Sequence, residues 1–307
     1  METSKFQDMF ITAKGEKRAS VSLKTLDTLW FNTGTLCNLE CENCYIESSP
    51  QNDRLSYLDV EDVRPFLQEI KNDNLETKLI GLTGGEPFLN PSIIPIIDTI
   101  LSFGFDLLIL TNANRVIKRH QHSLLKIKEN YGDKLHIRVS LDHFTPELHD
   151  KERGGGSFER TLDQMHWLYE NGFNVSIASR SLIEESPSVS LEGHKKLLES
   201  KGINLDLKSK LVIFPEMQSG RDVPEITTEC WSILDIRPDD QMCASERMII
   251  KKKGEKHPVV MPCTLLAYDE KFNLGKSLKE AKKDVFLNHR FCAEFCVLGG
   301  ASCSGTK

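Results

Sequence analysis

Cys37-Asn38-Leu39-Glu40-Cys41-Glu42-Asn43-Cys44-Tyr45 carries three thiols spaced C-x3-C-x2-C, directly after the strand-like run Thr28-Leu29-Trp30-Phe31-Asn32-Thr33. In a short loop at the end of a strand, three such thiols can converge on one side of a soft-metal centre. A closed structural zinc site takes four ligands, and a [4Fe-4S] cluster has four irons. Three cysteines therefore leave either one ligand to be found elsewhere or one iron open to another molecule.

The rest of the chain is ordinary for a globular protein: 307 residues, 39% hydrophobic, 27% charged, formal net charge -6. That length suffices for one large barrel, or for a core domain with a small companion. The acidic balance argues against nucleic acid as a main partner, since phosphate binding runs on Lys and Arg. Lys251-Lys252-Lys253, the most basic run, reads as a solvated hairpin tip. Met1-Glu2-Thr3-Ser4-Lys5 opens no signal peptide, and no run reaches the roughly 18 apolar residues of a membrane helix. The expectation is a cytoplasmic protein with no membrane partner. The nine cysteines fall in two groups, Cys37, Cys41 and Cys44 before residue 46, and Cys230, Cys243, Cys263, Cys292, Cys296 and Cys303 after residue 229. In a reducing compartment that pattern points to two metal-binding thiol sites more than to disulfides.

Residues 1–26 read as an N-terminal arm. Strand-like runs then follow at 28–33, 79–83, 107–111, 135–141, 175–179 and 207–214, alternating with helical periodicity at 60–71, 91–103, 123–131, 158–171 and 191–200. Pro91 and Ser157 signal helix starts, and Gly172 and Gly202 signal stops. Six strands with five intervening helices spell an α/β fold of βα units around a parallel sheet, with function expected at the carboxyl ends of the strands. The alternation stops after Pro215. Residues 217–239 read as linker and loop; 248–251 and 259–261 read as a hairpin turning near Gly254, and 277–283 as a short helix.

Each chemistry-bearing stretch falls where a strand should end. Gly84-Gly85-Glu86-Pro87 permits close backbone approach or positive φ, with amides free to bond a small molecule; a bland turn is the alternative. Asn112 follows the third strand, and Ser140 and Asp142, two apart, share one face of the fourth, suiting a ribose diol or an amino group. His149-Asp150-Lys151-Glu152-Arg153 with Gly154-Gly155-Gly156 reads as a mobile charged loop over the same end. Arg180 can reach a carboxylate or serve as a surface ion pair.

Together these motifs, from residue 28 to 215, resemble the radical S-adenosylmethionine (radical SAM) superfamily. The resemblance implies a partial (β/α)6 TIM-type barrel over residues 27–215. It implies that Cys37, Cys41 and Cys44 ligate a [4Fe-4S] cluster whose open iron takes the amino and carboxylate groups of S-adenosylmethionine. It further implies that Gly84, Gly85 and Glu86 contact the methionine amino group, and that Asn112, Ser140, Asp142 and Arg153 lie near the cofactor. An aromatic often precedes the third cysteine in the family; here Asn43 does, and Tyr45 follows, which moves adenine stacking to Tyr45. The implied chemistry is reductive cleavage to methionine and a 5'-deoxyadenosyl radical that abstracts hydrogen from substrate, with a flavodoxin or ferredoxin as electron donor.

Residues 216–307 resemble the SPASM and shorter twitch extensions of the same superfamily: Cys243, a hairpin, Cys263, then Cys292-x3-Cys296, with Cys303 after Gly299-Gly300. That resemblance implies one auxiliary [4Fe-4S] cluster on four of Cys243, Cys263, Cys292, Cys296 and Cys303, without saying which four; a zinc site is the alternative. Cys230 lies outside the pattern. The implied function is oxidation or other modification of a peptide or small-molecule substrate. Epimerisation with Cys230 or a spare tail thiol as hydrogen donor is one alternative. A non-catalytic iron-sulfur or zinc protein is another.

Overall fold

A computed structural model describes residues 4–181, 185–217 and 220–305. Parts of the N-terminal arm (1–3) and of the linker (218–219) lie outside the described residues. The strands of the main sheet are β1 (Thr28–Asn32), β2 (Leu79–Thr83), β3 (Asp106–Thr111), β4 (Leu135–Ser140), β5 (Asn174–Ser181), β6 (Leu211–Pro215), β7 (Glu246–Ile250) and β8 (Val259–Met261); Ser20–Val21 and Val285–Phe286 pair antiparallel in a separate two-stranded sheet. They form one sheet in the order β6-β5-β4-β3-β2-β1-β7-β8. All neighbours are parallel except β7 and β8, an antiparallel hairpin. The first six strands make the expected partial (β/α)6 barrel. The tail hairpin is the surprise: its first strand pairs in parallel with β1, from Thr28 beside Glu246 to Phe31 beside Ile249, so tail and barrel share one backbone hydrogen-bond ladder.

The helices of the barrel are α1 (Val60–Asn72), α2 (Ile93–Ser102), α3 (Gln121–Tyr131), α4 (Pro146–Arg153), α5 (Ser157–Glu170), α6 (Pro187–Ser200) and the single turn α7 (Leu207–Lys210); one more helical turn, Cys230–Ile233, lies in the stretch expected as linker. Asp59 and Asp62 form a capping box at the start of α1. Pro187 opens α6 behind the N-cap Ser186, whereas Pro91 stands ahead of α2 and its N-cap position, Ser92. Gly172 and Gly202, both with positive φ, follow the ends of α5 and α6 as expected.

Three expected elements differ. Residues 149–153 are not a loop but the end of α4, with Pro146 in its first turn and Gly154 (φ +94°) as its stop. The helix was hidden because two of its inward-reaching side chains are Glu152 and Arg153, which give no apolar period. Strand β6 starts at Leu211 rather than 207, because Asp206 caps Lys208 N and winds residues 207–210 into a helical turn. Residues 277–283 form a turn, held by Glu69 accepting from Leu278 N and Lys279 N, instead of a helix. The basic run is not merely solvated: Lys251 clasps both oxygens of Asp62 (3.0 and 2.9 Å), while Lys252 pairs with Glu270 and Lys253 with Asp53.

The lumen is polar as well as apolar. The Trp30 indole lies where a Cβ on Gly81 would fall, 2.1 Å away, so only glycine fits beside it on β2. Trp30 Nε1 donates to Glu246 Oε2 at 2.6 Å. Arg138, one pleat below Ser140 on β4, donates to the carbonyls of Cys303 (2.9 Å) and Ser304 (3.0 Å), and the hydroxyls of Ser302 and Ser304 donate to Glu246 Oε1. The end of the described chain thus enters the barrel, covering the β6 side, where Phe295 packs on Phe214 at 5.5 Å.

Candidate active site

A cavity of about 160 Å³ opens at the carboxyl ends of the strands. Of the residues singled out from sequence, Cys37, Cys41, Cys44, Tyr45, Gly84, Gly85, Asn112, Ser140, Asp142 and Arg153 all line it. Glu86 does not: its carboxylate is buried and accepts from Phe88 N (3.1 Å), Thr111 Oγ1 (2.8 Å) and Asn112 N (2.9 Å), tying the β2 turn to the end of β3.

The two glycines work differently from the expectation. The amides of Gly85 and Glu86 are not free; they donate to the carbonyls of Gly34 (2.8 Å) and Leu36 (3.1 Å). A Cβ on Gly85 would stand 2.2 Å from Leu36 O, and one on Gly84 (φ +141°) would stand 2.4 Å from Gly34 O. The turn is therefore glycine so that it can press onto the backbone leading into Cys37.

The thiol loop is held from both sides. Leu39 N and Ser48 N donate to the sulfurs of Cys37 (3.4 Å) and Cys44 (3.3 Å), and Asn112 Nδ2 reaches Cys37 Sγ at 3.7 Å. Donors on sulfur stabilise the thiolate, the form that binds metal. From α4, Glu152 takes Asn43 N and Asn43 Nδ2 (3.0 and 2.8 Å), and Arg180 bridges Glu152 and the Asn43 carbonyl at 3.0 and 3.2 Å. Glu152 was missed by the sequence reading because nothing distinguishes it from neighbouring surface charges until the helix turns it inward.

Charge pairing dominates the other wall. Arg153 grips Asp142 with two bonds, Nε to Oδ2 at 2.6 Å and Nη2 to Oδ1 at 2.9 Å, and Arg180 Nε lies 3.6 Å from Oδ1. Although burial opposes the charge, Arg153 and Arg180 hold the Asp142 carboxyl below its ordinary range. The same burial pushes the Cys37 thiol up to about 12, with Glu86 adding to it, and raises Cys41. Metal binding must therefore release protons here.

Burial also pushes Glu86 up from 4.5 to about 7. A carboxyl raised on folding binds its proton more tightly in the native state, so stability falls as pH rises from 4.5 through 7. Urea unfolding of wild type and Glu86→Gln should show the variant gaining on wild type between pH 5 and 7; a pH-independent difference would contradict this.

The tail thiols divide. Cys243, Cys263, Cys292 and Cys296 line a second, small cavity with Met242, Leu265 and Phe291. Cys292 and Cys296 come from one π-helical turn, Cys292–Val297, while Cys243 and Cys263 flank the β7–β8 hairpin. Burial raises all four thiols, Cys243 to about 11 and Cys292 to about 12. Cys303 differs in its lining: it borders the main cavity, with Tyr45, Phe214 and Phe295, while staying near enough to Cys263 and Cys296 to add to the rise of their thiols. Cys230, half-buried, bonds only locally to Thr227 and lines neither cavity.

Among the described residues no helix is long and apolar enough to cross a membrane. A model of the radical SAM superfamily matches residues 31–183. The chain is 31% identical over 143 residues to the antilisterial bacteriocin subtilosin biosynthesis protein AlbA of Bacillus subtilis, covering 46% of this chain and 30% of that protein. It is 26% identical over 137 residues to the mycofactocin maturase MftC of Mycobacterium tuberculosis, covering 45% and 33%. These matches span about a third of each relative's length. In fold it is similar to Streptococcus suis SuiB bound to precursor peptide SuiA, with TM-score 0.59, 14% identity and coverage of 85% of this chain and 66% of that one. It is also similar to anSMEcpe with bound AdoMet, with TM-score 0.59, 14% identity and coverage of 83% and 79%. With the thiol loop, the glycine turn and the first five barrel strands inside or bordering the matched residues, the chain belongs to the radical SAM superfamily of enzymes.

Proposed function

We propose that the chain binds a [4Fe-4S] cluster on Cys37, Cys41 and Cys44 and acts on a peptide with the help of an auxiliary cluster on Cys243, Cys263, Cys292 and Cys296. The observation that carries the reading is the number and position of thiols: three on the cavity's loop wall, four around a separate cavity. When bound, the cluster and S-adenosylmethionine supply one-electron cleavage of the sulfonium and a 5'-deoxyadenosyl radical. The chain's own residues do the rest. Asn112 and the amides of Leu39 and Ser48 stabilise the thiolates. An ammonium needs acceptors, and with the Gly85 and Glu86 amides turned to the thiol loop, the turn offers carbonyl oxygens to the methionine amino group. Arg153 and Arg180, already partnered by Asp142, present cations to a carboxylate, while Ser140 faces the same space. Tyr45, Phe214 and Phe295 give an apolar wall that limits water, which a radical requires.

A peptide substrate is supported by the names of the relatives, a bacteriocin biosynthesis protein and a peptide-bound homologue in fold. A small molecule is the competing class. Residues 27–215 would form the radical-generating core and 216–307 the auxiliary unit, with a reduced flavodoxin or ferredoxin as electron donor. Three thiols on one wall of the main cavity suit a four-iron cluster with one iron left open, whereas a closed zinc site takes four ligands.

Anaerobic reconstitution should give about eight irons per chain, two four-iron clusters. Reduced protein supplied with S-adenosylmethionine should release methionine and 5'-deoxyadenosine; their absence would sink the reading. Cys292→Ala should lower iron to about four per chain. Unchanged iron in that variant would remove the auxiliary cluster.

A further inference from the structure

Five tail cysteines were candidates for an auxiliary cluster, and the fold separates one from the other four. Cys303 is buried, 4% exposed, and is among the residues that line the main cavity. Its position is fixed by an unusual concentration of buried polar contacts. Arg138 Nη1 donates to its carbonyl at 2.9 Å, its amide donates to Met242 Sδ at 3.4 Å, and its Sγ lies 2.8 Å from Thr264 Oγ1. The neighbouring Ser302 and Ser304 hydroxyls are tied to Glu246. Buried polar groups are costly unless satisfied, so a guanidinium, a carboxylate and two serines committed to this segment specify its course tightly.

Strand register gives the vertical placement. Ser140 closes β4 at the cavity, and Arg138 lies two residues back, roughly 6.6 Å deeper along the strand. The chain segment held by Arg138 is therefore in the lumen, below the carboxyl-end rim from which Cys37, Cys41 and Cys44 project. Tyr45, directly after the thiol loop, lines the same cavity as Cys44 and Cys303. A molecule occupying the cavity has the three-thiol loop at the rim and Cys303 in the lumen.

Resting on the function proposed above, we infer that Cys303 is the hydrogen-atom donor to a carbon radical formed in this cavity. In the step the thiol S–H bond breaks and a C–H bond forms, leaving a thiyl radical on Sγ. The thiyl returns to thiol by taking one electron from a reduced iron-sulfur or flavin protein, or from dithionite in vitro, and one proton from solvent. The carbon centre undergoes no net oxidation, so with a chiral substrate the outcome is inversion. Cys230 is not among the residues that line the cavity, so Cys303 is the better placed of the two.

The test needs no knowledge of the substrate, because the 5'-deoxyadenosyl radical is itself a carbon radical in the cavity. Reconstituted holoenzyme is equilibrated in deuterated water, reduced with dithionite and given S-adenosylmethionine alone, and the 5'-deoxyadenosine is analysed by mass spectrometry. Wild type and Cys230→Ala should yield product carrying one deuterium. Cys303→Ala, and Cys303→Ser, which keeps the Thr264 contact, should lower the labelled fraction at least ~10-fold. Iron content and the electron paramagnetic resonance signals of both clusters should match wild type in these variants. The inference is overturned by unlabelled wild-type product, by unchanged labelling in both Cys303 variants, or by loss of product altogether in variants with intact clusters. It is also overturned by loss of iron in the variants, which would make Cys303 a ligand. Failure of wild type to form any 5'-deoxyadenosine would instead defeat the proposed function beneath it.

Discussion

Cys37→Ala should abolish S-adenosylmethionine cleavage and lower iron by about four per chain, from about eight to about four. Three thiols line this wall of the cavity, so none is spare. Outer-shell partners of a metal site typically cost ~10–100-fold when removed, and loss of a ligand should go well beyond that. Asn112→Ala, which removes only the amide 3.7 Å from Cys37 Sγ, gives the internal comparison and should fall within the smaller range. Iron analysis and product quantification after reconstitution decide it. A Cys37→Ala protein that kept all its iron and its cleavage would show that the C-x3-C-x2-C loop is not the cluster site.

The second large effect is expected at Arg153. Its guanidinium makes two bonds to Asp142 in a nearly dry setting, with side-chain exposures of 11% and 7%. Removing one partner of a buried pair leaves the other charge uncompensated, a loss of ~3–5 kcal/mol, here tempered by Arg180 at 3.6 Å. Arg153→Ala should therefore unfold at clearly lower urea. Arg153→Ala with Asp142→Asn should recover much of the stability, because the stranded charge is gone. If the pair serves only the fold, activity returns with stability; if Arg153 also receives a cofactor carboxylate, the double variant folds and still fails to cleave S-adenosylmethionine. The pH dependence has a definite sign. A carboxyl held below its ordinary value contributes stability that is present above 3.8 and lost as pH falls through its lower, folded-state value, so the wild-type advantage should fade in acid. An advantage that grew on acidification would contradict the ion-pair account.

Much of this arrangement was legible from residue order. Strand β2 and strand β8 fall at their expected residues, because short apolar runs bounded by glycine or proline leave little choice. The convergence of Cys37, Gly85, Asn112, Ser140 and Asp142 followed from each lying at the end of a parallel strand. What stayed hidden was tertiary. The helical nature of residues 146–153 depends on polar side chains turned toward the thiol loop, which a hydrophobic period cannot register. The role of the glycine turn depended on what lies across from it: carbonyls of residues 34 and 36, rather than a ligand, receive its amides. Five tail cysteines looked equivalent as letters. The path of residues 302–304 along Arg138 and Glu246 brings Cys303 to the main cavity, while Cys243, Cys263, Cys292 and Cys296 line the second one.

The parallel pairing of β7 with β1 has a mechanical meaning. Cys37 lies five residues beyond β1, and Cys243 three residues before β7, on adjacent strands of one ladder. Two redox sites mounted on separate bodies can drift apart and wait for each other, so their electron exchange is timed by docking. Here the spacing between the two thiol groups is set by hydrogen bonds along a strand, like marks on one ruler, and if both groups hold clusters as proposed, the distance an electron must tunnel between them stays fixed. Any breathing that admits a substrate would then fall to the opposite flank, where α4 and Arg180 hold the thiol loop through side-chain bonds and a single backbone bond, Glu42 N to the Glu152 carbonyl at 3.0 Å.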